Sequence, residues 1–369
     1  MFLIAFGSLV GIGIVEVGYH VYQELSPPRY DWKRQIKFLY GPDSIFRNLG
    51  DIFTYVPNSN IFVRDIYFSA FSYSTEYAYK IKTNNFGLVQ DKDLLRGAKS
   101  ILLLGDSFTE GQGAEPWFRQ VAPQIERLNY QPINGGLRGT GFLHWWELEE
   151  FLSANKISIS KLVIIFISTD LGRSKWNFSE SALACLRSIN FCGGNSLLVR
   201  LPPESELGQW IAKIRTTRDA HWWIKSALPA TYRVYRFLLD IVKRPQQVAE
   251  VPPQSPRQIE RVKTVINNMV EKYGRENVLF IHLPQKEEVE QGTVFPDGLL
   301  TRKFIQDIGT HYADGFALCG LTESDFFPVD RHPNQQGYSK IAKCTAQIIE
   351  QFLSQPKLNL SGQTAAFPK

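Results

Sequence analysis

The chain has 369 residues, enough for one large hydrophobic core or a core with a smaller appended unit. Hydrophobic residues make up 44% and charged residues 21%, a balance that excludes an intrinsically disordered chain. A net charge of +5 with no long basic run argues against nucleic acid as a partner. Aromatic residues reach 13%, with pairs at Trp145-Trp146 and Trp222-Trp223, and are read as bulky core packing rather than a sugar- or lipid-contacting surface.

Met1 to Val15 carries no charged side chain, and the apolar character continues past Glu16 to Tyr22. A helix over this stretch is roughly 33 Å long, enough to cross a bilayer core. The expectation is a transmembrane anchor over residues 1–23. The alternatives are a buried helix and a cleaved signal peptide, which here lacks a leading basic residue and a small-x-small site. Arg29, Lys33, Arg34 and Lys37 all follow the span, so the positive-inside rule places the body in the cytoplasm. The four cysteines point the other way. Cys185 and Cys192 lie close together, Cys319 and Cys344 flank one later segment, and such pairing suits disulfides in an oxidising compartment.

Residues 24–97 begin with Ser26-Pro27-Pro28, a linker composition, and continue as short aromatic and β-branched runs such as Ile61-Phe62-Val63. This is a β-rich lead-in. Residues 98–355 then change pattern. Apolar runs at Ser100–Leu104, Lys161–Ile167 and Val278–Ile281 alternate with helices expected over 116–128 and 257–273. That alternation predicts an α/β domain with a mainly parallel sheet covered on both faces and its site at the carboxyl ends of the strands. A helical insertion over 204–245 contains His221-Trp222-Trp223, a Pro-rich linker follows it, and residues 356–369 form a tail. Lys286-Glu287-Glu288 reads as a solvated charge run. The six histidines are scattered and no cysteines sit at metal-ligand spacing, so neither a metal nor a cofactor is expected.

Two segments carry chemistry. Ser107 sits where the run Leu102-Leu103-Leu104 breaks into Gly105-Asp106-Ser107, with Gly111 closing the turn. A turn directly after a strand exposes the hydroxyl, and a backbone N–H at the following helix start can face an oxyanion. The second segment is Asp330-Arg331-His332-Pro333, just before a C-terminal helix. In an extended segment, residues two apart point to one side, so Asp330 can fix the tautomer of His332. Ser107, His332 and Asp330 thus supply nucleophile, base and orienter for acyl transfer. Cys319 and Cys344 bracket the His332 loop, either as a staple to the final helix or as two free buried thiols.

With these motifs, residues 85 to 352 resemble the SGNH/GDSL hydrolase superfamily. Gly105-Asp106-Ser107 resembles its nucleophile block, Asn134-Gly135-Gly136-Leu137-Arg138-Gly139 its second block, and Asp330 with His332 its terminal block. Asn84-Asn85-Phe86-Gly87 and the N-terminal span are similar to membrane-anchored bacterial members. The resemblance implies a flavodoxin-like three-layer α/β/α fold. It also implies an oxyanion hole made by the amides of Ser107 and Gly139 plus a third donor. Thr169 stands where the family pattern has Asn, and a hydroxyl has shorter reach than an amide. The implied activity is that of a serine esterase or O-acyltransferase acting on acyl (acetyl) esters of cell-envelope or extracellular polysaccharide through an acyl-serine intermediate. The alternative is an inactive scaffold that binds a glycan or a membrane acyltransferase partner. The implied location is a single-pass membrane protein with its catalytic domain in the periplasm.

Overall fold

The computed structural model describes residues 2–25, 35–40, 45–68, 73–173 and 256–354, with short pieces at 175, 198–200, 209, 228, 230–232 and 234–235. Most of the 204–245 insertion, the 356–369 tail, Cys185 and Cys192 therefore lie outside the described residues.

The chain opens with helix α1 (Phe2–Leu25). A lead-in follows: β1 (Gln35–Tyr40), β2 (Phe46–Asn48), β3 (Phe53–Tyr55), β4 (Asn60–Phe68) and β5 (Tyr73–Lys82). The first, fourth and fifth of these strands form an antiparallel set, and β2 pairs with β3 in a small hairpin. Their inward residues, among them Leu39, Phe46, Phe53, Tyr55, Val63 and Ile81, make a separate small core. Among the described residues no helix is long and apolar enough to cross a membrane, so the expected transmembrane span is not found there. Glu16 on α1 is buried and accepts hydrogen bonds from the amides of Ala230 and Thr231 at 2.9 and 2.7 Å. That face of α1 packs on the protein's own chain.

The second unit runs β6 (Ser100–Gly105), α2 (Ser107–Glu110), α3 (Phe118–Arg127), β7 (Gln131–Gly136), α4 (Phe142–Ala154) and β8 (Ile159–Phe166). After the short strand β9 (Leu198–Arg200), which joins the lead-in sheet beside β1, come α5 (Pro256–Tyr273), β10 (Val278–His282), α6 (Lys286–Gln291) and α7 (Pro296–Ile308). The chain closes with β11 (His311–Asp314), α8 (Gly315–Leu318) and α9 (Gln335–Ser354). Five strands form one sheet in the order β7-β6-β8-β10-β11, and every pairing is parallel. In chain order within the sheet this is 2-1-3-4-5, the doubly wound flavodoxin-like arrangement.

Strand alternation divides the core in two. Ile101, Leu103, Val163, Ile165, Leu279 and Ile281 face α3 and α9, where Trp117, Val121, Tyr338 and Ile349 meet them. Leu102, Leu104, Leu162, Ile164, Phe166 and Phe280 face α4 and α5, against Trp145, Leu148, Ile266 and Met269. Both faces are covered, so β6, β8 and β10 read as continuous apolar runs. The result is a three-layer α/β/α unit, with helices at 118–127 and 256–273 where the sequence predicts 116–128 and 257–273.

Two further expectations need correction. Lys286-Glu287-Glu288 is not a solvated run: Glu288 is fully buried at the start of α6 and accepts from the amides of Gln285 and Phe295 at 2.8 Å each. The carboxylate caps the first turn and joins it to the start of α7. The Asp330–His332 segment is also not extended, because Arg331 takes φ 65°, in the left-handed region. A turn, rather than strand alternation, brings the two side chains together.

Candidate active site

Ser107 stands directly beyond β6, at the point where strand order reverses and open parallel sheets leave a crevice. Asp106 caps α2, its Oδ1 accepting from the Phe108 amide at 2.8 Å. Gly105 is required by close approach, since a Cβ there would lie 1.9 Å from Thr109 Oγ1 and 2.5 Å from the Ile165 carbonyl oxygen. Without that side chain, α2 packs down onto the sheet and fixes the Ser107 turn.

The structure brings together the three residues read from the sequence. Ser107 Oγ lies 2.7 Å from His332 Nε2, and His332 Nδ1 lies 2.7 Å from Asp330 Oδ2. A carboxylate accepts only, so Nδ1 carries the proton and Nε2 accepts from the serine hydroxyl. The Phe108 ring packs against the imidazole with centroids 5.2 Å apart. Ser107 is buried and the His332 side chain is 15% exposed.

Gly139 follows β7 and takes φ 71°, a conformation that suits glycine. Thr169 follows β8, is exposed, and donates its amide to Gln285 Oε1 at 3.2 Å. Cys319 and Cys344 form a disulfide that ties the end of α8 to the middle of α9. Among the described residues no cluster of His, Cys, Asp or Glu is set to hold a metal ion.

Several residues around the site are silent in the sequence. Arg173 Nη1 binds Asp106 Oδ2 at 2.6 Å and Asp170 Oδ1 at 2.8 Å. Burial, with Asp106 adding to it, pushes the Asp170 carboxyl well up against the pull of Arg173. Gln112 donates to Asp330 Oδ2 at 3.2 Å, and the Tyr77 hydroxyl donates to the same oxygen at 2.9 Å. Glu76 accepts from the amides of Val329 and Asp330 at 3.0 Å each. Gln112 carries a weak local signal, lying between two glycines just after the Ser107 turn. Glu76 and Tyr77 carry none.

No protein-family profile and no curated protein sequence matches the chain. Solved structures similar to it include a lipase/acylhydrolase from Enterococcus faecalis, at 14% identity and TM-score 0.37, covering 72% of this chain and 100% of that one. A putative lipolytic protein of the G-D-S-L family from Desulfitobacterium hafniense is similar at 14% identity and TM-score 0.31, covering 68% and 99%. A catalytic mutant of an acetylxylan esterase from Geobacillus stearothermophilus is similar at 13% identity and TM-score 0.35, covering 69% and 94%. These likenesses concern fold. The sheet order is the doubly wound one, with the Gly-Asp-Ser turn after its first strand and the histidine loop before its last helix.

Proposed function

We propose that this chain is a serine esterase of SGNH type, cleaving or transferring acyl groups through an acyl-serine intermediate. The observation that carries the reading is the unbroken chain Ser107 Oγ, His332 Nε2, His332 Nδ1, Asp330 Oδ2, with both links at 2.7 Å. His332 takes the serine proton as Oγ attacks an ester carbonyl. The amides of Ser107 and Gly139, with the Thr169 hydroxyl as third donor, hold the oxyanion. His332 returns the proton to the leaving alkoxide, and water or a sugar hydroxyl then attacks the acyl-serine. Acetyl esters of cell-envelope or extracellular polysaccharide are the substrate class of this reading. Its support is the resemblance of the blocks around Ser107, Gly139 and His332 to those of anchored bacterial members.

The same reading places the catalytic unit outside the cytoplasm, in the periplasm, and at a membrane through residues 1–23. The Cys319–Cys344 disulfide supports an oxidising compartment. Exposed Val10, Ile12, Ile14, Val15 and Val17 on α1 supply apolar surface for membrane contact. One observation favours a second reading: Thr169 replaces an amide with a hydroxyl of shorter reach. On that reading the fold is a non-turning scaffold that binds a glycan or a membrane acyltransferase partner.

Ester cleavage separates the two. The esterase reading expects p-nitrophenyl acetate turnover and fluorophosphonate labelling by the wild type, and loss of both in Ser107→Ala and in His332→Ala. Equal release of p-nitrophenol by wild type and Ser107→Ala removes the catalytic assignment.

A further inference from the structure

Asp330 Oδ2 accepts from three donors: His332 Nδ1 at 2.7 Å, Tyr77 Oη at 2.9 Å and Gln112 Nε2 at 3.2 Å. One comes from the catalytic loop itself, one from the segment after the nucleophile helix, and one from the lead-in sheet. Tyr77 has a neighbour that acts on the same loop. Glu76 accepts from the amides of Val329 and Asp330, so its carboxylate grips the backbone on which the catalytic carboxylate rides.

Adjacent residues in a regular strand point to opposite faces, and only one of them would reach this loop. The strand is not regular here. In the pairing of β4 with β5, Asp65 faces Tyr77 while the next residue, Ile66, faces Thr75, so Glu76 is an extra, unpaired residue. This is a β-bulge, a device that re-aims side chains and bends a strand locally. It turns two consecutive residues of β5 toward one target.

We propose that the bulge at Glu76 is a positioning device for catalysis, in which Glu76 fixes the loop backbone and Tyr77 fixes the Asp330 carboxylate against His332. The inference rests on the esterase reading above and adds the lead-in sheet to the machinery. Tyr77 touches neither substrate nor the reacting oxygen and acts only through Asp330. Burial, then the Asp330 charge beside it, pushes the Tyr77 phenol well up, so it stays a donor throughout the working pH range. Tyr77 and Gln112 share out the negative charge of Asp330 Oδ2. Without the phenol, one of the three donors that fix the carboxylate is lost, and Asp330 holds the imidazole in place less firmly. Other titratable or charged groups packed around the pair are Asp65 on β4, Tyr79 on β5, Asp106 beside Ser107, the Glu110–Arg138 pair and Tyr338 on α9. Tyr77→Phe leaves every one of them in place.

The test uses the full chain and p-nitrophenyl acetate, comparing wild type, Ser107→Ala, Tyr77→Phe and Glu76→Gln. Tyr77→Phe is expected to keep the thermal midpoint and lower kcat by about tenfold with KM unchanged. A wild-type kcat in Tyr77→Phe, with Ser107→Ala inactive, overturns this inference and leaves the esterase reading standing. A fall in kcat joined to a lowered thermal midpoint also overturns it, because that is a purely structural effect. Ser107→Ala turning over like wild type overturns the esterase reading and this inference with it. If Tyr77→Phe does not fold, Glu76→Gln decides: lower kcat at unchanged KM supports the device, and wild-type kcat overturns it.

Discussion

Glu110 and Arg138 carry opposite charges where water does not reach, with side-chain exposures of 0% and 2%. The Arg138 guanidinium binds the Glu110 carboxylate through Nη2 and Nε, and Tyr55 and Tyr79 complete the cluster at 3.1 and 2.8 Å. Glu110 ends α2, Arg138 follows β7, and the two tyrosines come from the lead-in, so four elements meet on one ion pair. Burial works against the Arg138 cation, but the adjacent Glu110 carboxylate together with Tyr55 and Tyr79 outweighs it and holds the guanidinium's affinity for its proton well up. Removing one partner leaves the other charge buried and uncompensated. Glu110→Gln is therefore expected to cost about 3–5 kcal/mol of stability, read from urea unfolding. A loss below about 1 kcal/mol, the range of exposed pairs, would show that water enters the cluster.

The final helix is held at two points, and both bear on the histidine loop. Asn334 caps α9, its Oδ1 accepting from the amides of Gln336 and Gly337 at 3.0 and 3.1 Å. Further along, Tyr338 reaches back to the Ser107 carbonyl at 3.4 Å, so the first turn of the helix also touches the Ser107 segment. The Cys319–Cys344 disulfide then closes a loop with a sequence separation of 25 that contains Asp330 and His332. Closing a loop of that size restrains the unfolded chain and stabilises by roughly 3 kcal/mol. The double variant Cys319→Ala, Cys344→Ala is expected to lose about that much in denaturant unfolding. It should keep KM for p-nitrophenyl acetate, because the cap and the Tyr338 contact remain. An unchanged unfolding midpoint would show that the loop is already restrained before folding.

At the scale of the whole molecule, what the sequence discloses follows the physics of burial. The three strands buried on both faces are plain apolar runs, whereas the edge strands β7 and β11 are not. Gln131-Pro132-Ile133-Asn134-Gly135-Gly136 and His311-Tyr312-Ala313-Asp314 carry little apolar signal, and Pro132 is tolerable only at an edge. Ser107, Asp330 and His332 are legible because each sits in a short local motif. Tyr77 is not, since it lies 253 residues from the Asp330 it binds and no spacing rule reaches that far. Glu288 misleads for a related reason: a capping carboxylate and a solvated one look alike until the next helix is in place. The largest omission is how firmly the lead-in is built into the α/β unit, which no composition shift announces.

His144 makes that union testable through pH. It lies on α4, fully buried, with Nε2 3.0 Å from the Phe53 carbonyl oxygen of β3, so a donated N–H joins the two units. Burial pushes its pKa from 6.5 down to about 4; the Phe53 carbonyl opposes the shift and Lys175 adds to it. Above about pH 6.5 the imidazole is neutral in both folded and unfolded chains, and its full contribution is present. As pH falls from there toward 4, the unfolded chain takes up a proton that the folded chain refuses, and stability is lost. The shift corresponds to a loss on the order of 3 kcal/mol across that window. His144→Gln keeps a donor for the Phe53 carbonyl and removes the titration. Its unfolding free energy should fall less steeply than the wild type's between pH 6.5 and 4, while the two run parallel above pH 7. Parallel curves through the acid window would mean that His144 is hydrated in the folded protein and that the lead-in meets the α/β unit less closely than the Phe53 contact requires.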